Sequence, residues 1–139
     1  MTQITEDYCS FETAKLLKEK GFNVYVRSYY EKNEYKTKEE LSTNNALWNY
    51  NISSFRYSAP TLQMAMKWLR DVHNITVIPN VRIPHPICGT IESYWVGIWY
   101  VPKNNGGAFC YTSPTPYEGY PSFEEACEAG IKYCLENLI

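Results

Sequence analysis

The segment "ESYWVGIWYVP", Glu92 to Pro102, constrains the fold more than any other part of the chain. Its density of aromatic and β-branched residues reads as a strand. Successive strand side chains point to opposite faces, so Tyr94, Val96, Ile98 and Tyr100 share one side while Trp95, Gly97 and Trp99 share the other. Both sides are apolar. One must meet helices; the other must meet a loop, another subunit or a ligand. A glycine between two indoles leaves a slot that a planar ring or a backbone can approach. Either the protein's own aromatic residues, such as Trp48 or Tyr50, fill that slot, or it is a binding surface.

Helical cover comes from three segments. In "SFEEACEAGIKYCLENLI" the residues Phe123, Ala126, Cys127, Gly130, Ile131, Cys134, Leu135 and Leu138 recur at three- and four-residue steps. Ser122 is placed as N-cap with Glu125 at the third helical position, a capping box, and the early glutamates suit the positive end of the helix dipole. A middle helix is expected from Pro60 to His73, with Leu62, Ala65, Met66 and Leu69 inward and Lys67 and Arg70 in water. The first helix, "SFETAKLLKEKGF", takes Ser10 as cap, turns Phe11, Ala14 and Leu17 inward and stops at Gly21 in a left-handed conformation. Ser10 to Ala14 and Ser122 to Ala126 both read S-F-E-x-A, one start signal used twice.

Strand chemistry lies between the helices. Phe22 to about Leu41 reads as a hairpin around "EKNE", and "ALWNYNISSFRY" as a third strand alternating aromatic with asparagine or serine. "ITVIPNVRI" follows the middle helix, and Pro79 and Pro84 make it an edge strand at best. The opening segment and "GAFCYTS" are joined by the turn signal "KNNGG". A chain of 139 residues is one domain's worth, residues 1–139. The expected architecture is α+β: a mostly antiparallel sheet of five to six strands with three helices packed mainly on one face.

Charge narrows the function. The net charge is −2 and the pI about 5.7, so no broad positive field exists to attract nucleic acid or an anionic membrane. Seven of the 13 basic residues lie between Lys15 and Lys38, a distribution that suits the solvated face of a helix and hairpin. No stretch is long and apolar enough to cross a bilayer, and no basic start precedes an apolar run, so a soluble, unexported chain is expected. Cys9, Cys88, Cys110, Cys127 and Cys134 lack paired spacing and sit among apolar neighbours, which suggests reduced thiols in a cytoplasm.

The candidate site residues follow from chemistry available on a sheet face and its loops. Trp95 and Trp99, with Tyr94 and Tyr100 on the same strand, are the candidates for contacting a ligand or partner. Tyr117 and Tyr120 lie in "YTSPTPYEGYPS", a stiff, extended stretch able to act as a lid, a recognition loop or a plain connector. His85, between two prolines in "IPHPICG", has ligand-like spacing from Cys88, but the only other histidine is His73, too few ligands for a zinc site. No nucleophile elbow, phosphate-binding glycine loop or dinucleotide fingerprint is present, and no catalytic residue, metal or cofactor is assigned. A small enzyme using His85 or a cysteine is the alternative reading.

From Ser58 onward the element order α-β-β-β-α looks like that of the double-stranded RNA-binding domain. That family contacts phosphates with lysines at the start of its last helix; Phe123, Glu124 and Glu125 stand there in this chain, so the likeness is of topology and nucleic acid is disfavoured as a partner. Three blocks, "ITEDYCSFETAKLLKEKGF", "SAPTLQMAMKWLRDVHNI" and "SFEEACEAGIKYCLENLI", together roughly two fifths of the chain, resemble a set of small proteins of gut bacterial genomes, their phages and other mobile elements. The set carries no assigned activity, so the resemblance implies an origin and no mechanism. The reading is of a small cytoplasmic binding or interaction protein that uses an aromatic sheet face. Its expected partner is another protein or a small aromatic ligand, with a homodimer among the outcomes and no membrane.

Overall fold

The structure, a computed structural model, describes residues 2–35, 38–82, 93–102, 110–112 and 119–139, and in 110–112 the backbone alone. The chain is α+β: three α-helices and six described strands, all paired antiparallel. The strands are divided between two three-stranded sheets, where one sheet of five to six was expected. Two compact units result, Met1–Ala65 and Met66–Ile139. Each carries its own sheet with its own helix packed on it.

In the first unit α1, Phe11–Glu19, begins at Ser10, whose Oγ accepts the Thr13 N–H at 3.2 Å. It ends as expected at Gly21 with φ +84°. Two crossing bonds close the end, Phe22 N–H to Leu17 C=O at 2.9 Å and Gly21 N–H to Lys18 C=O at 3.1 Å, so the last carbonyls find donors. The hairpin reading holds in shortened form: β1, Tyr29–Glu31, pairs with β2, Glu40–Ser42, in the register Tyr30↔Leu41. β3, Arg56–Ser58, lies on the other side of β1, giving the order β2-β1-β3. α1 packs against β3, and Phe11 meets the rings of Tyr30 and Tyr57 edge-on at 5.7 and 5.2 Å. Ala14, Leu17 and Phe22 are fully buried beneath it.

The expected strand "ALWNYNISSFRY" differs from what forms. Tyr50–Ile52 is a turn of 3-10 helix, and only Arg56–Ser58 extends. The cause lies in the asparagines: Asn49 Oδ1 accepts the Asn51 N–H at 3.1 Å, and Asn51 Oδ1 accepts the Ser58 N–H at 2.8 Å. Short amide side chains that bond nearby backbone divert it from a ladder.

α2, Leu62–His73, runs across the boundary between the units and buries Leu62, Ala65, Met66, Trp68 and Leu69, with Lys67 and Arg70 exposed. In the second unit β4, Ile75–Arg82, β5, Ser93–Tyr100, and β6, Cys110–Thr112, form the sheet in that spatial order. β4 is an edge strand, as its proline demands: Pro79 lies opposite Val96 and needs no donor on its open side. α3, Phe123–Asn137, packs on β4 and β5 and buries Ala126, Cys127, Gly130, Ile131, Cys134 and Leu135. At its start the Glu125 N–H donates to Ser122 Oγ at 3.1 Å; the Glu125 carboxylate reaches back to the Ser122 hydroxyl, at 3.1 Å, and not to its N–H. The fully buried Val96, Ile98, Ile131 and Leu135 are each worth about 1.5–3 kcal/mol, so the packing of α3 on the sheet contributes strongly to the cohesion of this unit.

Candidate functional site

The two faces of β5 separate as the alternation requires. Val96 and Ile98 are buried under α3, and the approach is close: a Cβ at Gly130 would stand 2.7 Å from Val96 Cγ2 and 2.8 Å from Val77 Cγ1. The opposite face carries Trp95, Gly97 and Trp99, with Asn80, Ile78 and Thr76 across the ladder on β4. On this side Trp99 is 42% exposed and Ile78 37% exposed; Asn80 is also exposed, whereas Trp95 is half-buried. Between the two indoles, Gly97 is buried.

The four aromatic residues of β5 thus take different roles. Tyr94 belongs to the helix side: it exchanges two backbone hydrogen bonds with Tyr120, at 2.9 and 2.7 Å, and its ring meets Phe123 edge-on at 6.2 Å. Tyr94 and Tyr120 together tie the approach to α3 onto the sheet, a structural duty that the sequence reading did not separate from binding. Gly119 matches this crossing, because a Cβ there would clash with the Ser93 side chain. Tyr100, at the far end of β5, lines a cavity of about 570 Å³ with His73, Ile75, Val101 and Leu138. Trp95 and Trp99 remain as the rings on the side away from α3. His85, Cys88 and Tyr117 lie outside the described residues, as does the turn "KNNGG".

Of the residues suggested as filling the slot, Tyr50 places its ring 4.3 Å from that of Tyr29 inside the first unit, and Trp48 is 60% exposed. The alternative enzyme reading draws nothing from the described thiols. Cys9, Cys127 and Cys134 are buried. Burial pushes the Cys127 thiol up to about 11, with Glu124 adding to the effect, and the Cys134 thiol up to about 12. Neither is a thiolate at neutral pH, and a protonated thiol is a poor nucleophile or metal ligand. Among the described residues no cluster of three or more histidine, cysteine or acidic side chains is arranged to hold a metal ion, and no helix is long and apolar enough to cross a membrane. The first turn of α3 carries Glu124 and Glu125, and no basic residue.

A second constellation, missed in the sequence reading, sits in the first unit. The Arg56 guanidinium lies over the Tyr29 ring at 5.0 Å and near that of Phe55 at 5.5 Å. The nearby loop is pinned by part-buried polar groups. Asn49 Nδ2 donates to Asn23 Oδ1, Asn51 Nδ2 donates to the Phe22 carbonyl at 2.7 Å, and Lys18 Nζ donates to the carbonyls of Ser53 and, at 3.0 Å, Arg56. Burial lowers the Lys18 pKa. No spacing rule joins these residues; they meet because β3 returns beside β1. Comparison with family models, with curated proteins and with solved structures finds no match to this chain.

Proposed function

We propose that this chain is a cytoplasmic interaction protein that binds another protein on the face of β4-β5-β6 turned away from α3. The observation that supports it is the joint exposure of Trp99 and Ile78 beside Asn80 on that face. Exposed indole beside aliphatic carbon, with polar groups at its edge, is the composition of an interface centre. A protein partner fits better than a small ligand because none of the cavities found among the described residues is lined by Trp99, Ile78 or Asn80, whereas small molecules favour concave sites that enclose most of their surface. The negative net charge and the acidic start of α3 disfavour nucleic acid. An origin in a phage or mobile element of gut bacteria belongs to the same proposal and rests on the three resembling sequence blocks.

Photo-crosslinking tests the reading even while the partner is unidentified. Benzoylphenylalanine placed at position 78 or 99 in protein expressed in its native host should give an adduct of defined mass that is absent when the probe replaces the exposed Glu12. An adduct of twice the protomer mass identifies a second copy as the partner. No adduct from either position, or the same adducts from position 12, overturns the proposal.

A further inference from the structure

Tyr29, Asn45, Ala46, Trp48, Tyr50 and Arg56 line an open concavity of about 330 Å³ in the first unit, which shares no residue with the exposed face of β4-β5-β6. Its floor is aromatic: the Tyr29 and Tyr50 rings lie 4.3 Å apart and 30° from parallel. Its wall is the exposed Trp48, whose backbone is fixed by two hydrogen bonds of 3.1 Å with Val26. Its charge is Arg56, laid over the Tyr29 ring at 5.0 Å. Arg56 Nε is buried and makes no hydrogen bond; it forms an ion pair with Glu31 Oε2 at 3.7 Å, too long for a hydrogen bond. A buried donor left in this state calls for an explanation, and a bound group is one.

We infer that this concavity binds a small planar ring carrying an anionic group, a carboxylate or a phosphate. A guanidinium placed over an aromatic ring is pre-oriented, and its planar donors match either anion with two parallel bonds. The exposed Trp48 offers a face on which a ring stacks, and the Asn45 amide adds a directional polar contact. The volume lies at the small end of ligand sites, which limits the ligand to one ring system and its charged group. A cationic ring is rejected by Arg56. The loop's anchorage through Asn49, Asn51 and Lys18 means that little ordering is required on binding.

The test follows the four tryptophan indole N–H signals of ¹⁵N-labelled protein during titration with indole-3-acetate and, separately, with AMP, against tryptamine and adenosine as ring-matched controls without the anion. The Trp48 signal is assigned by its loss in Trp48→Leu. The expected result is saturable movement of that signal with at least one anionic probe, at least tenfold weaker for the matched control and for Arg56→Met. Movement with AMP alone points to nucleotides, with indole-3-acetate alone to aromatic carboxylates, and with both to the shared ring-plus-anion chemistry. Should Arg56→Met fail to fold, Trp48→Leu, altered at an exposed position, carries the test: the remaining resonances near the concavity must stop responding. No saturable movement with either anion up to 5 mM (about −3 kcal/mol of binding), equal movement with the controls, or movement confined to the Trp99 signal overturns the inference. The crosslinking result bears on a different unit and stands or falls separately.

Discussion

Replacing Gly130 by alanine isolates the contact on which the sidedness of the second sheet depends. The added methyl would lie 2.7 Å from Val96 Cγ2 and 2.8 Å from Val77 Cγ1, where ordinary contact begins near 3.4 Å. Neither valine can turn aside easily, because β-branching restricts χ1 and both side chains are packed in the core. α3 must therefore back away by about 0.5–1 Å, and overpacking of this kind costs about 1–3 kcal/mol. Alanine's better helix propensity returns about 1 kcal/mol. The net expectation is a loss of up to about 2 kcal/mol, read as a lower urea midpoint at unchanged slope and a melting temperature up to about 8 °C lower. Val96→Ala alone should cost about 2 kcal/mol through lost burial. The double variant should be at least 1 kcal/mol more stable than the sum of the two, because the second change makes room for the first. If Gly130→Ala instead stabilises the protein by the propensity term, or if the two costs add, α3 does not sit on Val77 and Val96 and the assignment of faces fails.

Other perturbations probe separate parts. Ser10→Ala should cost about 1 kcal/mol in urea unfolding by removing the oxygen that accepts the Thr13 N–H, with Ser10→Gly milder; equal stability of wild type and Ser10→Ala would deny the cap a role. In native protein at pH 8, peptides containing Cys127 and Cys134 should resist iodoacetamide, as mass mapping will show, and become labelled on unfolding in urea. Because both folded thiols titrate above their ordinary value of 9.0, the unfolded chain ionises first: their contribution is fully present below about pH 8.5 and is lost as pH climbs towards 12. The Cys127→Ala/Cys134→Ala variant should therefore lose less melting temperature between pH 8 and pH 10.5 than the parent, and an identical drop would refute the assignment. Asn51→Ala removes an acceptor for Ser58 N–H and a donor to the Phe22 carbonyl, and should destabilise by about 2–3 kcal/mol and accelerate amide exchange at Ser58; unchanged exchange would contradict the anchoring role.

Local rules carried much of the architecture. The serine caps at Ser10 and Ser122, the glycine stop at Gly21 and the buried stripe of α3 were all legible because each depends on residues within one or two turns of the chain. The same holds for β5, whose two faces follow from alternation alone. The division into two sheets was not legible, since nothing local says which strands pair. The strand expected around Trp48 and Tyr50 gave way to a turn because Asn49 and Asn51 had stronger local bonds to make than a ladder offered. Tyr94 and Tyr120, candidates for binding on the sequence, also form a brace, a role visible only once the Tyr120 backbone pairs with β5. The concavity at Arg56 combines residues from β1, the loop after β2 and β3, and its chemistry becomes visible only when the register Glu31↔Arg56 is known.

The sidedness of the second sheet can be measured directly by solvent paramagnetic relaxation of 5-fluorotryptophan-labelled protein, with a soluble gadolinium chelate and resonances assigned by single substitution. Trp99 should relax strongly and Trp68, buried at 7% exposure, weakly, at the lowest protein concentration that gives a signal. Protection of Trp99 that grows with protein concentration would identify a second copy as the occupant of this face. Protection equal to that of Trp68 in the dilute protein would show the face already covered and contradict the proposal.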